Sequence, residues 1–159
     1  MAGGERPDVI IEHPNRGKAS VKATKATVIA LLLVSAALMT IVAVGGWDAL
    51  AGAKPMLIGY ILLYLVLAYY CARWTRGTLP LAAALAIILL IFAAVAAPQW
   101  FARDDEGFTD PALDSGLIGM IVILIIPVQV LLIGFAMRGF QQDWHVEVER
   151  PRDRRAATA

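Results

Sequence analysis

Apolar residues fall in four long unbroken runs along the chain, and the polar residues gather in short clusters between them. The runs are Ala26 to Val44, Met56 to Ala72, Leu79 to Ala97 and Leu117 to Met137, and none contains Asp, Glu, Lys, Arg or His. Each holds roughly 17–21 residues, which at about 1.5 Å rise per residue gives about 25–32 Å, the thickness of the hydrocarbon core of a bilayer. A barrel strand would alternate polar and apolar positions, whereas these runs are apolar on every face, so helices are predicted. The expected fold is all-α: a polytopic membrane protein whose four transmembrane helices form an up-down-up-down bundle, because the loops are short and sequential helices are then antiparallel neighbours.

Proline and aspartate punctuate the runs. Pro55, Pro80 and Pro111 stand at or just before helix starts, where a missing N–H costs nothing. Asp110 reads as an N-cap with Asp114 in the first turn, so the fourth helix is expected to start near Pro111. Pro98 marks the expected end of the third. The chain then divides into a polar, mobile N-terminal tail (1–25), a transmembrane domain (26–137) and a C-terminal flank and tail (138–159). A first run of 19 residues preceded by about 25 others exceeds the 7–15-residue core of a signal peptide, so it is read as a retained helix.

Charge adds orientation. Net charge is only +1, which gives no pull toward nucleic acid, but the cations are unevenly placed. Arg6, Arg16, Lys18, Lys22, Lys25, Arg73, Arg76, Arg138, Arg150, Arg152, Arg154 and Arg155 share one side of the expected bundle, and Lys54 and Arg103 the other. Loops rich in Lys and Arg stay in the cytoplasm, so both termini are expected there. The acidic residues Asp48, Asp104, Asp105, Glu106, Asp110 and Asp114 lie on the opposite side. Trp47 and Trp100 near one set of helix ends, and Tyr69, Tyr70, Trp74 and Trp144 near the other, match the aromatic belts of a membrane protein. Arginine outnumbers lysine ten to four, and with abundant alanine this suggests a GC-rich bacterial genome and a bacterial inner (plasma) membrane.

Composition narrows the chemistry. With 59% hydrophobic and 17% charged residues, a soluble domain and a disordered chain are both excluded. The lone Cys71 cannot close a disulfide within the chain or build a thiolate zinc site. Ionisable groups at membrane depth mark proton relays, ion-coupled transport and haem ligation, and the four runs carry none, so no catalytic residue, cofactor or metal is expected. His13 and His145 lie in the flanks without metal-ligand spacing. The loop Arg103 to Asp110 has clustered carboxylates, but its glycine register does not fit a calcium loop.

The polar positions inside the runs are the remaining candidates. Pro127 and Gln129 sit near the middle of the fourth run and Tyr64 near the middle of the second. Gln129 needs a partner on another helix, a freed carbonyl or a water. Tyr60, Ser35 and Thr40 add hydroxyls that are expected to bond back to their own helices or to fill the bundle. Small residues repeat at four-residue spacing in Ala82/Ala86, Ala93/Ala97, Ala26/Ala30 and Ala36/Thr40, the spacing at which helices approach closely. After the fourth run, Phe140 and Trp144 are placed to share a face if the helix continues. From Trp144 onward, polar and apolar residues alternate as in an exposed strand or docking segment. Phe140, Trp144, Val146 and Val148 are therefore the candidate contact positions for a partner.

These readings point to a non-catalytic membrane protein that works by helix–helix association, as an accessory subunit of a membrane complex or as a homo-oligomer. Its expected partners are the bilayer and another membrane protein or itself, with no nucleic acid. The alternative is a small channel or carrier for a neutral solute, with Tyr64, Pro127 and Gln129 along its path.

Overall fold

A computed structural model describes residues 9–75, 77–104 and 111–151. Four long helices dominate it: α1 (Ala19–Gly45), α2 (Lys54–Ala72), α3 (Thr78–Phe101) and α4 (Ser115–Gln141). All are long and apolar enough to cross a membrane, and they pack against one another. The chain is an all-α multi-pass membrane protein.

Helix boundaries depart from the apolar runs where local chemistry outweighs hydropathy. α1 begins at Ala19, within the segment expected to be a mobile tail, because the run Ala19 to Lys25 contains no breaker and hydropathy marks only the part of a helix that is oily. α4 starts at Ser115, and its N-cap is Asp114, whose Oδ1 accepts a 2.9 Å bond from the Leu117 N–H. This corrects the expected start near Pro111, and Asp110 lies outside the described residues. Pro98 does not end α3, which runs on to Phe101. Only the bond to the Ala94 carbonyl is forfeited, close to a terminus that passes into a 3-10 turn over Ala102–Asp104.

Around the bundle α2 packs on α1, α1 on α4 and α4 on α3, whereas α2 and α3, although consecutive, meet only sparsely. The α3–α4 seam is close because of its small residues. Ala82 and Ala86 are fully buried, with Ala93 and Ala97 nearly so. A Cβ on Gly119 would stand 2.9 Å from the Phe101 ring. The connection to α4 is tied back to α1, where the Leu113 N–H donates to the Gly45 carbonyl at 3.0 Å.

The two chain ends meet. β1 (Val9–Glu12) and β2 (Val148–Pro151) pair antiparallel, with Ile10 opposite Arg150 and Ile11 opposite Glu149. The residues flanking the bundle thus lie at one end of it, here called the terminal end. The connection Trp47–Ala53 and, among the described residues, 102–104 and 111–114 occupy the other, the loop end.

Candidate functional site

In the middle of the bundle three helices are joined by a chain of hydrogen bonds. The Tyr64 hydroxyl on α2 donates to Gln129 Oε1 on α4 at 2.9 Å, and Gln129 Nε2 donates to Ser35 Oγ on α1 at 2.9 Å. Ser35 Oγ in turn donates to the Leu31 carbonyl one turn back at 2.7 Å. The directions are fixed by this last bond. With its hydrogen given to Leu31, Ser35 can only accept, so the amide must present nitrogen to Ser35 and oxygen to Tyr64. All three side chains are fully buried.

Chemically this knot supplies hydrogen bonds and nothing basic. An amide does not take a proton from serine, and the serine hydrogen is already engaged. In an apolar interior each bond spares a buried dipole the cost of having no partner. Tyr64 and Gln129, both foreseen as intramembrane polar positions, are thus brought together. Pro127, foreseen beside them, is exposed on another face of α4, as two residues' separation on a helix requires. Tyr60 is nearly buried and sits 6.1 Å from the Tyr64 ring. Thr40 bonds back to the Ala36 carbonyl at 2.7 Å.

A second cluster forms at the terminal end. α2 finishes with Trp74 at φ 60. The Trp74 N–H bonds to the Cys71 carbonyl and the Thr75 N–H to the Tyr70 carbonyl, both at 3.1 Å, the pair that closes a Schellman cap. α4 finishes at Gln141, with Asp143 at φ 46. The helix end separates Phe140 from Trp144. Phe140 stays exposed, while Trp144 turns inward and is buried, its ring edge-on to Trp74 at 5.1 Å. Lys25 Nζ sits 3.8 Å over the Trp74 ring and donates to the Ala72 carbonyl at 2.7 Å. Asn15 Nδ2 donates to the Asp143 carbonyl and Arg16 Nε to the Trp144 carbonyl. Gln142 Nε2 reaches Thr24 Oγ1 on α1 at 3.2 Å.

Beside this cluster a groove of about 540 Å³ runs between the α2–α3 turn and the C-terminal flank, bounded by Gly77, Pro80, Phe140, Trp144 and Val146. Three of the four foreseen contact positions line it. Val148 lies apart, in β2 opposite Glu12. Asn15, Arg16 and Thr24 were not foreseen as belonging with the flank, since nothing in their local sequence indicates a partner 128 or 118 residues away.

Among the described residues no group of three or more His, Cys, Asp or Glu is placed to hold a metal ion. Comparison with family models, with curated proteins and with solved structures finds no match to this chain.

Proposed function

We propose that the protein is a non-catalytic subunit of the bacterial inner membrane that acts by helix–helix association, with itself or with a larger membrane complex, and with both termini in the cytoplasm. The carrying observation is the outward face of α1. Ala23, Ala26, Ala30 and Ala37 are exposed there, with Leu33, Ile41 and Val44 beside them. At about 100° per residue these positions fall in one stripe roughly 100° wide, with Ala23, Ala30 and Ala37 repeating every seven residues. Small residues on a lipid-facing stripe let a second helix approach closely, and packing rather than hydrophobicity then drives association. Ala82, Ala86, Ala93 and Ala97 of α3 are buried in the bundle, where α3 packs on α4, whereas the α1 stripe faces outward.

The cytoplasmic placement of the termini rests on the twelve basic residues of the terminal side against two on the loop side. The non-catalytic reading is supported by the closed Tyr64–Gln129–Ser35 knot, which offers neither nucleophile nor base.

Single cysteines at Ala30 and Ala37 in a Cys71→Ala background, each carrying a photoactivatable crosslinker that inserts into C–H bonds, irradiated in native membranes and followed by mass spectrometry, test the proposal. Adducts to a second copy or to another membrane protein are expected at both, and not at Ile91 on the far side of the bundle. Absence of adducts, with a monomer after mild extraction, overturns it.

A further inference from the structure

Residues 9–17 lie as a strap across the C-terminal flank and grip it by its backbone. β1 pairs with β2 in a register that runs from Val9 opposite Pro151 to Glu12 opposite Val148. Asn15 Nδ2 and Arg16 Nε donate to the carbonyls of Asp143 and Trp144 at 3.0 and 3.1 Å. The gripped segment is a wall of the terminal groove, which Asp143, Trp144 and Val146 line.

Pro151 settles which residues of the ribbon exchange hydrogen bonds. It has no N–H, so Val9 and Pro151 stand opposite without bonding each other. Bonded and non-bonded pairs alternate in an antiparallel ladder. Ile10–Arg150 and Glu12–Val148 are therefore the bonded pairs, and the N–H and C=O groups of Val148 and Arg150 face β1. On the outer edge of β2 only Glu149 offers both groups, because Pro151 cannot donate, and proline there blunts an edge against further pairing. β1 thus occupies the edge of β2 that is fit to pair with a strand.

We infer that this strap opens as one unit while the four helices stay folded, and that its closure is autoinhibitory, keeping the pairing edge of the flank from any other strand. The strap is held weakly compared with the helices. None of Ile10, Ile11, Glu12 and the turn Pro14–Gly17 is buried, so closure hides little apolar surface, and its hydrogen bonds replace bonds to water at small net gain. A two-stranded ribbon on its own is marginal in water for this reason. Closure also carries a cost. His13 Nδ1, between β1 and the turn, is buried with no hydrogen-bond partner among the described residues, and such an atom is penalised until water reaches it.

The strap has an internal tie and a hinge. The Arg16 N–H donates to the His13 carbonyl at 3.1 Å, which couples the turn to the end of β1. Beyond the turn, a Cβ on Gly17 would meet nothing within 4 Å, and Lys18 is extended at φ −66 and ψ 134 before α1 begins. Rotation about Gly17 and Lys18 frees the strap without unwinding α1. Segments with few buried contacts and exposed hydrogen bonds open locally, well below the free energy of global unfolding. The inference does not depend on association through α1.

Hydrogen exchange of the full chain in nanodiscs, resolved to single amides by mass spectrometry, tests the opening. The bonded amides of Ile10, Glu12, Val148 and Arg150 are expected to exchange together, about a hundredfold or more faster than those of Leu32 and Leu132 in the middle of α1 and α4. Ile11→Cys with Glu149→Cys in a Cys71→Ala background puts a disulfide across the opposed non-bonded pair. Oxidation should slow the four amides by about tenfold or more, and reduction should restore them. Masking is read separately with a labelled synthetic peptide that copies residues 9–16. The same cysteine pair combined with Asn15→Ala and Arg16→Ala should bind the peptide when reduced and not when oxidised. Exchange of the four amides only at the rate of the helices overturns the inference, as do separate rates for β1 and β2. Equal peptide binding by the oxidised and reduced protein, at any level, overturns it as well.

Discussion

Trp74 and Trp144 meet edge to face, with ring centroids 5.1 Å apart and 76° between the ring planes. The contact joins the end of α2 to the chain just beyond α4, and Lys25 of α1 completes it from above the Trp74 ring. Trp74 reaches this position only because its backbone is left-handed, at φ 60, a conformation rare for a bulky residue. The packing of the ring must therefore offset the backbone cost. Trp74→Ala loses the ring and keeps the strain, while Trp74→Gly loses the ring and relieves it. Both should lower the thermal midpoint of the purified protein, with Gly less damaging than Ala by about 1 kcal/mol. Equal stability of the two variants would show that the cap conformation carries no cost here.

The polar knot gives a second, ordered prediction. Gln129→Leu leaves Ser35 bonded to Leu31 but strands the buried Tyr64 hydroxyl, whereas Tyr64→Phe combined with Gln129→Leu strands nothing. The double variant should therefore be more stable than Gln129→Leu alone, by about 0.6 kcal/mol or more, as read from unfolding titrations in mixed micelles. Neither variant should change the flux of a neutral solute such as glycerol into liposomes. A change in flux with Gln129→Leu would favour a conducting path and count against the associative reading.

The helices were legible in the sequence because hydropathy over about 20 residues is a local signal that needs no knowledge of neighbours. Their ends were less so. Asp114 and Asp110 are alike as potential caps, and only the bond to the Leu117 N–H distinguishes them. Gln129 and Tyr64 stood out as polar residues in oily surroundings. That Ser35 completes their chain depends on which helices are neighbours, information the apolar runs do not contain. The terminal cluster was the least legible, since Asn15 and Asp143 are 128 positions apart and their meeting follows from the even number of crossings together with two left-handed helix ends. The sparse contact between α2 and α3 was hidden for the opposite reason: a short turn between two helices suggests close packing, and the sequence does not show where that packing opens.

Glycine positions separate close approach from mere permissiveness. A side chain on Gly119 would press on the Phe101 ring, where a Cβ would stand 2.9 Å away, whereas a Cβ on Gly59 of α2 meets nothing within 4 Å. Gly119→Val should destabilise the protein by about 1–3 kcal/mol through overpacking of the α3–α4 seam. Gly59→Ala should be neutral or stabilising by up to about 1 kcal/mol, since it restricts the unfolded chain and improves helix propensity. Thermal unfolding of both variants under one detergent condition checks the contrast, and a comparable loss at the two positions would contradict the packing described for Gly119.

Pairing of β1 with β2 requires both flanks of the bundle to lie in one compartment, whichever compartment that is. Exposed positions provide the test: Gly17 and Glu147 at the terminal end, and Gly52 at the loop end. Cys71 is buried, so it contributes little background to labelling of single cysteines by a membrane-impermeant maleimide, and Cys71→Ala removes the remainder. In intact cells Gly17→Cys and Glu147→Cys should stay unlabelled and Gly52→Cys should react, with all three reacting after permeabilisation. The direction of that pattern tests the cytoplasmic placement drawn from the basic residues, whereas the agreement of Gly17 with Glu147 tests the fold. Labelling those two from opposite sides would mean an odd number of crossings, and the strand pairing, the tryptophan contact and the antiparallel bundle would all fail together.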